Sequence, residues 1–180
     1  MRAFVAVDAP GMPAIAQFQR NLLSVANWDA REVKPVNAEN FHFTLMFLGQ
    51  VIEQESVIEK LSKIKFSAFK ITLQGVGGFP TIKSARVIWI GVDSEGGKSL
   101  NALSDVVTLK MKELGFVRDK PFSPHLTIVR ARDRPIAAAS VSVLKNEIAC
   151  GIVDRLHLKR SELSPSGPTY SNVYSLPAVN

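Results

Sequence analysis

Apolar and polar residues follow one another along this chain in two periods, one typical of strands and one typical of helices. Residues that are two apart in a strand point to the same face of the sheet, and stretches with this period or with a short apolar run predict strands. The predicted strands cover residues 2–8, 33–36, 41–48, 68–76, 86–93, 125–130, 152–159 and 170–176.

Helices are predicted where apolar residues recur at spacings of three and four. Such stretches run from Pro13 to about residue 25, from Glu53 to about residue 65, and over residues 100–114, where Gly115 ends the pattern. A weaker, alanine-rich pattern predicts a fourth helix over residues 136–144. Glycine, proline and serine predict turns at residues 75–80, 94–97 and 164–168.

Two of the predicted strands carry the same short motif, His-x-Thr. His42 and Thr44 should share one face of the first strand, and His125 and Thr127 should share one face of the second. The residues between and after them are apolar and should face the core. Only three histidines occur in the chain, so two of them in matched settings point to a shared role.

The likeness between the two motifs extends into a longer internal repeat. Arg2 to Asp8 and Arg86 to Asp93 are both strands that end in Val-Asp, and each leads through a helix to a His-x-Thr strand. The offset between the two halves stays between 83 and 85 residues, as a duplicated unit would leave it. We therefore predict one bilobal domain over residues 1–180, with halves near 1–83 and 84–180 that can exchange strands, and a cleft between the lobes that holds both histidines.

Composition and charge narrow the class of protein. The chain has 22 Lys and Arg against 16 Asp and Glu, a net charge of +6, which suits a polyanion such as RNA but also an ordinary basic protein. No apolar run approaches the roughly 18 residues of a membrane span, and the first residues do not resemble a signal peptide. We expect a cytoplasmic protein without a membrane partner, and we expect the single cysteine, Cys150, in the core.

Two imidazoles that face one cleft are suited to cleaving a phosphodiester. One can activate the attacking oxygen and the other can protonate the leaving oxygen, because the ordinary histidine pKa of about 6.5 lies near neutral pH. Thr44 and Thr127 would donate hydrogen bonds to the non-bridging oxygens. The scheme needs no cofactor or metal, and two histidines without a further ligand set make a poor zinc site.

The motifs resemble those of the two-histidine (2H) phosphoesterases. The similarity is carried by His42-Phe-Thr-Leu-Met-Phe-Leu-Gly49 and His125-Leu-Thr-Ile-Val-Arg130, and also by residues 1–8 and 163–170. Within that superfamily the residues resemble the 2′-5′ RNA ligase family, also called RNA 2′,3′-cyclic phosphodiesterase. The resemblance implies an α+β bilobal fold, with an antiparallel sheet in each lobe and helices on the outer faces.

The resemblance also implies a reaction and its residues. The enzyme would open a 2′,3′-cyclic phosphate on RNA to a 2′-phosphate without metal, and could join such an end to a 5′-hydroxyl without ATP. His42 would be the acid and His125 the base, although either assignment is physically reasonable. Arg130 would bind phosphate, provided that its strand ends or bulges there. Met46 replaces a basic residue common in the family and would share the face of His42.

Other functions stay open at this point. The same chemistry could serve a small cyclic nucleotide, or the protein could bind RNA without catalysis. The expected partner is RNA with 2′,3′-cyclic phosphate ends, tRNA fragments among them, and the expected state is a monomer. His157 alternates with charged neighbours in its strand, so we expect it on the solvated surface. Trp89 and the phenylalanines could stack on bases, but their positions in apolar strands favour core packing.

Overall fold

The structure is a computed structural model, and it describes residues 1–138, 146–164 and 167–179. Three α-helices and nine strands are assigned within these ranges. The helices are α1 (Met12–Val25), α2 (Gln54–Ser62) and α3 (Ser94–Lys112). The strands are β1 (Arg2–Asp8), β2 (Val33–Pro35), β3 (His42–Gln50), β4 (Phe69–Thr81), β5 (Ser84–Val92), β6 (Leu126–Ala131), β7 (Glu147–Val153), β8 (Arg155–Ser164) and β9 (Gly167–Pro177).

The strands form two antiparallel sheets, each of which carries one His-x-Thr motif. The four-stranded sheet has the order β3-β1-β8-β9 and contains His42, while the five-stranded sheet has the order β2-β6-β5-β4-β7 and continues from His125. The fold is therefore α+β with two lobes, and the predicted fold class is confirmed.

Each half of the sequence contributes strands to both sheets. In the four-stranded sheet, β1 pairs with β3 from its own half and with β8 from the other half. In the five-stranded sheet, β5 pairs with β6 from its own half and with β4 from the other half. The pairing is thus equivalent in the two sheets. Each half gives one strand to the sheet of the other half, β4 from the first half and β8 from the second.

The first and third helices are exchanged in the same sense. In α1, the buried Gln19 side chain donates hydrogen bonds of 2.8 and 2.7 Å to the carbonyls of Val36 and Ile128, at the five-stranded sheet. In α3, the fully buried Ser104 donates a 2.8 Å hydrogen bond to the carbonyl of Leu45, in the four-stranded sheet. Each of these helices therefore packs on the sheet that holds the other half's histidine.

Several predicted elements have different bounds in the structure. Residues 75–80 do not form a turn but continue β4, and residues 94–97 are the first turn of α3, which Asp93 caps by accepting a hydrogen bond from the Gly96 amide. The predicted strand over 152–159 is two strands, β7 and β8, which lie in different sheets.

Two predictions concern residues outside the described ranges. The predicted helix over 136–144 lies mostly there, and its described part is extended, with Ile136 bridged to Ala85. The predicted turn over 164–168 includes residues 165 and 166, which also lie outside, while Gly167 and Pro168 begin β9. No helix among the described residues is long and apolar enough to cross a membrane.

Candidate active site

A cavity of about 250 Å³ lies between the two sheets and receives both motifs. The residues predicted as site residues are brought together there. The cavity is lined by His42, Thr44, His125, Thr127 and Arg130. The two motifs, which are far apart in sequence, therefore face one space from opposite lobes.

The His42 ring is held by hydrogen bonds at both of its nitrogens. Nδ1 lies 2.7 Å from the carbonyl oxygen of Asn40, and Nε2 lies 3.1 Å from the hydroxyl of Thr44. A carbonyl oxygen can only accept, so Nδ1 carries the proton and, in the neutral ring, Nε2 accepts from Thr44. The basic nitrogen is thereby directed to the threonine side of the cavity.

His125 is oriented by an equivalent contact. Its Nδ1 lies 2.7 Å from the carbonyl oxygen of Ser123, again two residues before the histidine. The carbonyl selects the tautomer with a proton on Nδ1, so Nε2 is the nitrogen that is available for proton transfer. Both rings are therefore presented to the cleft in the same tautomer.

Burial favours the neutral form of both imidazoles. It lowers the pKa of His42 to about 4, against the opposing effect of the Asn40 carbonyl, and the positive charges of Lys159 and Arg130 also lower this pKa. Burial likewise lowers the pKa of His125, and Arg130 again contributes. Since Arg130 acts on both rings, its guanidinium lies within electrostatic reach of each.

A β-bulge brings Arg130 into the cleft. Trp89 of β5 pairs with Thr127, whereas the next residue back, Ile88, pairs with Val129, so Ile128 is an extra residue in β6. Ile128 and Val129 are both fully buried. The alternation of faces is thus shifted by one residue after Thr127, and Arg130 returns to the cavity side.

β3 contains the equivalent bulge, and it corrects the prediction for Met46. Val5 of β1 pairs with Met46 and Ala6 pairs with Thr44, so Leu45 is the extra residue. Met46 is 2% exposed and packs in the core, not beside His42 as predicted, while Phe47 is 70% exposed and lines the cavity. Phe47 occupies the position in the first motif that Arg130 occupies in the second.

Both bulges are held by a side chain from a helix of the other half. The carbonyl of the extra residue Ile128 accepts from Gln19 of α1, and the carbonyl of the extra residue Leu45 accepts from Ser104 of α3. Gln19 and Ser104 lie 85 residues apart and so correspond in the repeat. The pair was not foreseen from sequence, because a polar residue in an apolar helix stripe does not disclose its partner.

Aromatic rings flank each histidine. The Tyr170 ring meets His42 edge-on at 5.2 Å between centroids, and the Phe4 ring lies 5.0 Å from the same imidazole. On the other side, Phe79 meets His125 edge-on at 4.9 Å. Tyr170 and Phe79 line the cavity. Core packing, which the sequence favoured for the phenylalanines, is therefore not the whole role of Phe79.

Glycines in β4 make room for this arrangement. The ring of Trp89 lies against Gly77, where an added Cβ would stand 2.1 Å from a ring carbon. Trp89 in turn packs at 5.4 Å from Phe79. The glycines that suggested a turn in the sequence instead allow a large side chain to cross a strand.

Lys34 adds a second cation to the cavity wall. It lines the cavity with Arg130, to which it is directly paired between β2 and β6. Lys34 was not predicted as a site residue, because in the sequence it is only a basic residue beside a proline. Two neighbouring cations and two imidazoles thus line the same cavity, which gives one wall a positive charge.

Two further single-residue predictions were wrong. His157 is not on the solvated surface, because it is only 6% exposed and contacts Asp8 and Ser175. Cys150 is exposed rather than in the core. Within the described ranges, no group of three or more His, Cys, Asp or Glu side chains is placed to hold a metal ion.

These features define a duplicated, two-histidine α+β protein with its site between the lobes. Comparison with known proteins supplies the family. Residues 8–164 match the model of the 2′-5′ RNA ligase superfamily, and the chain belongs to that superfamily. This confirms the resemblance seen in the sequence.

Relatives in the superfamily match most of the chain. An RNA 2′,3′-cyclic phosphodiesterase of Archaeoglobus fulgidus is 41% identical over 179 residues, which is 96% of this chain and 98% of that protein. One of Methanothermobacter thermautotrophicus is 35% identical over 184 residues, 96% of each chain. The two proteins carry the same name.

Solved structures show the same fold. A crystal structure of a Thermus thermophilus protein has a TM-score of 0.77 at 29% identity and covers 98% of this chain and 97% of that one. The structure of Escherichia coli LigT in apo form has a TM-score of 0.77 at 22% identity and covers 99% and 98%. The likeness thus extends over both lobes.

Proposed function

We propose that this protein is an RNA 2′,3′-cyclic phosphodiesterase that hydrolyses a terminal 2′,3′-cyclic phosphate to a 2′-phosphate. The observation that carries the proposal is the pair of His-x-Thr motifs that line one cavity with their rings in the same tautomer. The names of the relatives at 30–41% identity support the substrate class.

The proposed reaction uses the two imidazoles on opposite sides of phosphorus. His125 removes a proton from water as its oxygen attacks phosphorus, and His42 gives a proton to the 3′ oxygen as the bond between phosphorus and that oxygen breaks. If a 5′-hydroxyl replaces water, the same transfers give a 2′-5′ bond. This is the proposed basis for ligation without ATP.

The remaining cavity residues would bind the phosphate and the RNA. Thr44 and Thr127 donate hydrogen bonds to non-bridging oxygens, and Arg130 with Lys34 balances the negative charge. Phe47 and Tyr170 offer exposed ring surface to a base. The site is built for one chain end, so we expect a monomer to act on single RNA ends, tRNA fragments among them.

A bound phosphate would also prepare the acid. Burial lowers the pKa of His42 to about 4, so without a bound anion its ring is neutral near pH 7 and cannot donate from Nε2. The negative charge of the cyclic phosphate favours the imidazolium. Proton uptake on substrate binding would then supply the proton that the leaving 3′ oxygen receives.

The test is a product analysis with a short RNA that ends in a 2′,3′-cyclic phosphate, in the presence of EDTA. We expect a 2′-phosphate end: mass shows the gain of one water, and comparison with synthetic RNAs that end in a 2′- or a 3′-phosphate identifies the position. The same RNA with a 3′-phosphate is the control and should stay unchanged. RNA binding without turnover would favour a non-catalytic RNA-binding protein. Turnover only of 2′,3′-cyclic mononucleotides would favour a phosphodiesterase for small cyclic nucleotides.

A further inference from the structure

A buried cluster of charged side chains lies next to the cleft but does not line it. The Lys159 ammonium is 2.8 Å from Asp8 and donates a 2.7 Å hydrogen bond to Asn172. His157 is 3.4 Å from the other carboxylate oxygen of Asp8 and 2.8 Å from the hydroxyl of Ser175. Both Lys159 and His157 are only 6% exposed.

The sheet register places this cluster beside His42. Asp8 and His42 are direct partners across β1 and β3, and the side chains of such partners stand on the same face, with Cβ atoms about 5 Å apart. Lys159 is level with Phe4, four residues from Asp8 along the strand. The residue between them on this face is Ala6, whose small side chain leaves room for the lysine to reach the carboxylate.

The internal repeat shows that this use of Asp8 is particular to one half. The corresponding residue, Asp93, accepts hydrogen bonds from the amides of Gly96 and Thr72 and so caps α3. The helix that follows Asp8 begins after Gly11 and has no side-chain cap. Asp8 is thus released from capping and is instead held between a lysine and a histidine.

Fold stability does not explain the cluster well. A buried ammonium costs desolvation energy that its ion pair seldom recovers, and apolar residues of the same volume usually stabilise a protein at least as well. Yet Lys159 is buried with one carboxylate and one amide as its partners. The arrangement is suited to holding the carboxylate of Asp8 in one place, next to an imidazole.

We propose that Asp8 and Lys159 form a positioning pair for His42, in which the Asp8 carboxylate favours the protonated ring and Lys159 fixes and moderates that carboxylate. The inference rests on the proposed function, in which His42 is the acid. It also supplies a reason for that assignment, because the charged neighbour that acts on His125 is the cation Arg130 and not a carboxylate.

The charges around His42 agree with this arrangement. After burial and the Asn40 carbonyl, its pKa is lowered by Lys159, raised by Asp8 and lowered by Arg130. The third member, His157, faces Asp8 from β8, and burial lowers its pKa while Asp8 raises it. The Asp8 side chain keeps 40% exposure, so water screens part of its field, and we expect moderate effects.

The experiment compares Asp8→Asn, Lys159→Met and the double variant with wild type. The His42 ring is followed by NMR as pH is lowered, its signal being identified with His42→Gln among the three histidines of the chain. Lys159→Met should raise the midpoint by about one pH unit, since a cation is removed, and Asp8→Asn should lower it. The double variant should return near wild type.

Kinetics supply the second readout. At neutral pH, Asp8→Asn should turn over the cyclic-phosphate RNA about tenfold more slowly and should move the alkaline limb of the rate profile to lower pH, because less His42 is protonated. Lys159→Met should move that limb to higher pH. Lys60→Met, which breaks the 2.6 Å ion pair with Glu113 between α2 and α3, is the control and should change neither readout.

The outcomes separate this inference from the proposed function. If both single variants keep the wild-type midpoint while RNA is turned over normally, the positioning role is wrong and the enzyme assignment stands. If the midpoints move in opposite directions but wild type does not turn over RNA, the proposed function fails. Should Asp8→Asn not fold, the opposite shift in Lys159→Met and its reversal in the double variant still decide the question.

Discussion

The two imidazoles at the centre of the cleft have the same kind of support. Each donates its Nδ1 proton to a carbonyl two residues earlier in the chain, Asn40 for His42 and Ser123 for His125. The contact is local, so the His-x-Thr strand and the residues just before it suffice to orient the ring. This explains why the histidines could be predicted from a short motif.

Loss of either ring should remove proton transfer without unfolding the protein. We expect His42→Ala and His125→Ala each to lower kcat on cyclic-phosphate RNA by about 10²–10⁴-fold, with unchanged far-ultraviolet circular dichroism. Lys98→Ala, at a side chain that is 71% exposed on α3, is the control and should keep full activity. Wild-type activity in either histidine variant would end the acid–base scheme.

Burial of His42 should also make the fold sensitive to acid. Above pH 6.5 the ring is neutral in both the folded and unfolded chain, but between 6.5 and about 4 only the unfolded chain binds the proton. Wild type should therefore lose on the order of 3 kcal/mol more unfolding free energy over this window than His42→Gln. Urea unfolding of both proteins at pH 7, 5 and 4 measures this, and parallel curves would contradict it.

The burial of two residues, His157 and Cys150, was predicted wrongly from the sequence. His157 alternates with charged neighbours, which is the pattern of a solvated face. Arg155 is exposed as that pattern predicts, but His157 and Lys159 are buried and pair with Asp8. Cys150 was assigned to the core by residue type alone and is exposed. The burial of His157 and Lys159 depends on their partners in the neighbouring strands β1 and β9, which local alternation does not contain.

Among the elements, β3 and β6 depend most on a feature that strict alternation cannot express. One bulge in each strand shifts the faces by a residue, which sends Met46 into the core and brings Phe47 and Arg130 to the cleft. The strands themselves were predicted correctly. The bulges could not be, since they follow from pairing with β1 and β5 and from the helices that bond to them.

Neighbouring phenylalanines on β3 should differ sharply in their effect on stability. Phe43 is fully buried, so Phe43→Ala should lower the free energy of unfolding by about 3–5 kcal/mol. Phe47 is 70% exposed, and Phe47→Ala should stay within about 0.5 kcal/mol of wild type. Urea denaturation of both variants checks the face assignment. Similar losses in both would mean that the bulge is misplaced.

The hydrogen bonds from α1 to the β6 bulge should matter for both stability and phosphate binding. Gln19→Met keeps the side-chain volume but removes the donor to Val36 and Ile128, which should cost about 1–3 kcal/mol. A relaxed bulge would turn Arg130 away from the cavity, so KM for the RNA should rise more than kcat falls. Gln17→Met, on the exposed face of α1, is the control for both measurements.

At the scale of the whole molecule, the two halves are interleaved. The internal repeat was visible in the sequence as a constant offset, and the two sheets with equivalent pairing agree with it. What the offset could not reveal is which sheet each repeated strand joins. The exchange of β4 and β8 depends on pairing between strands that are far apart in sequence, and the local hydrophobic period does not predict such pairing.

Interleaving predicts that neither half folds alone. A fragment of residues 1–83 contains β4 without its partners β5 and β7, and β1 without β8. We expect it to show no cooperative thermal transition by circular dichroism, and we expect structure to return when residues 84–180 are added. Cooperative unfolding of the first fragment alone would contradict the exchanged topology.

The exchanged helices and strands also bear on the ancestry of the molecule. A single unit of this kind could have buried its sheet only by trading a strand and a helix with a second copy, which makes an intertwined homodimer the natural precursor. In such a dimer every position would be identical on both sides of the cleft. Joining two copies in one chain would remove that constraint, because one half could then carry Arg130 while the other carries Phe47, and the two sides of the cleft would differ.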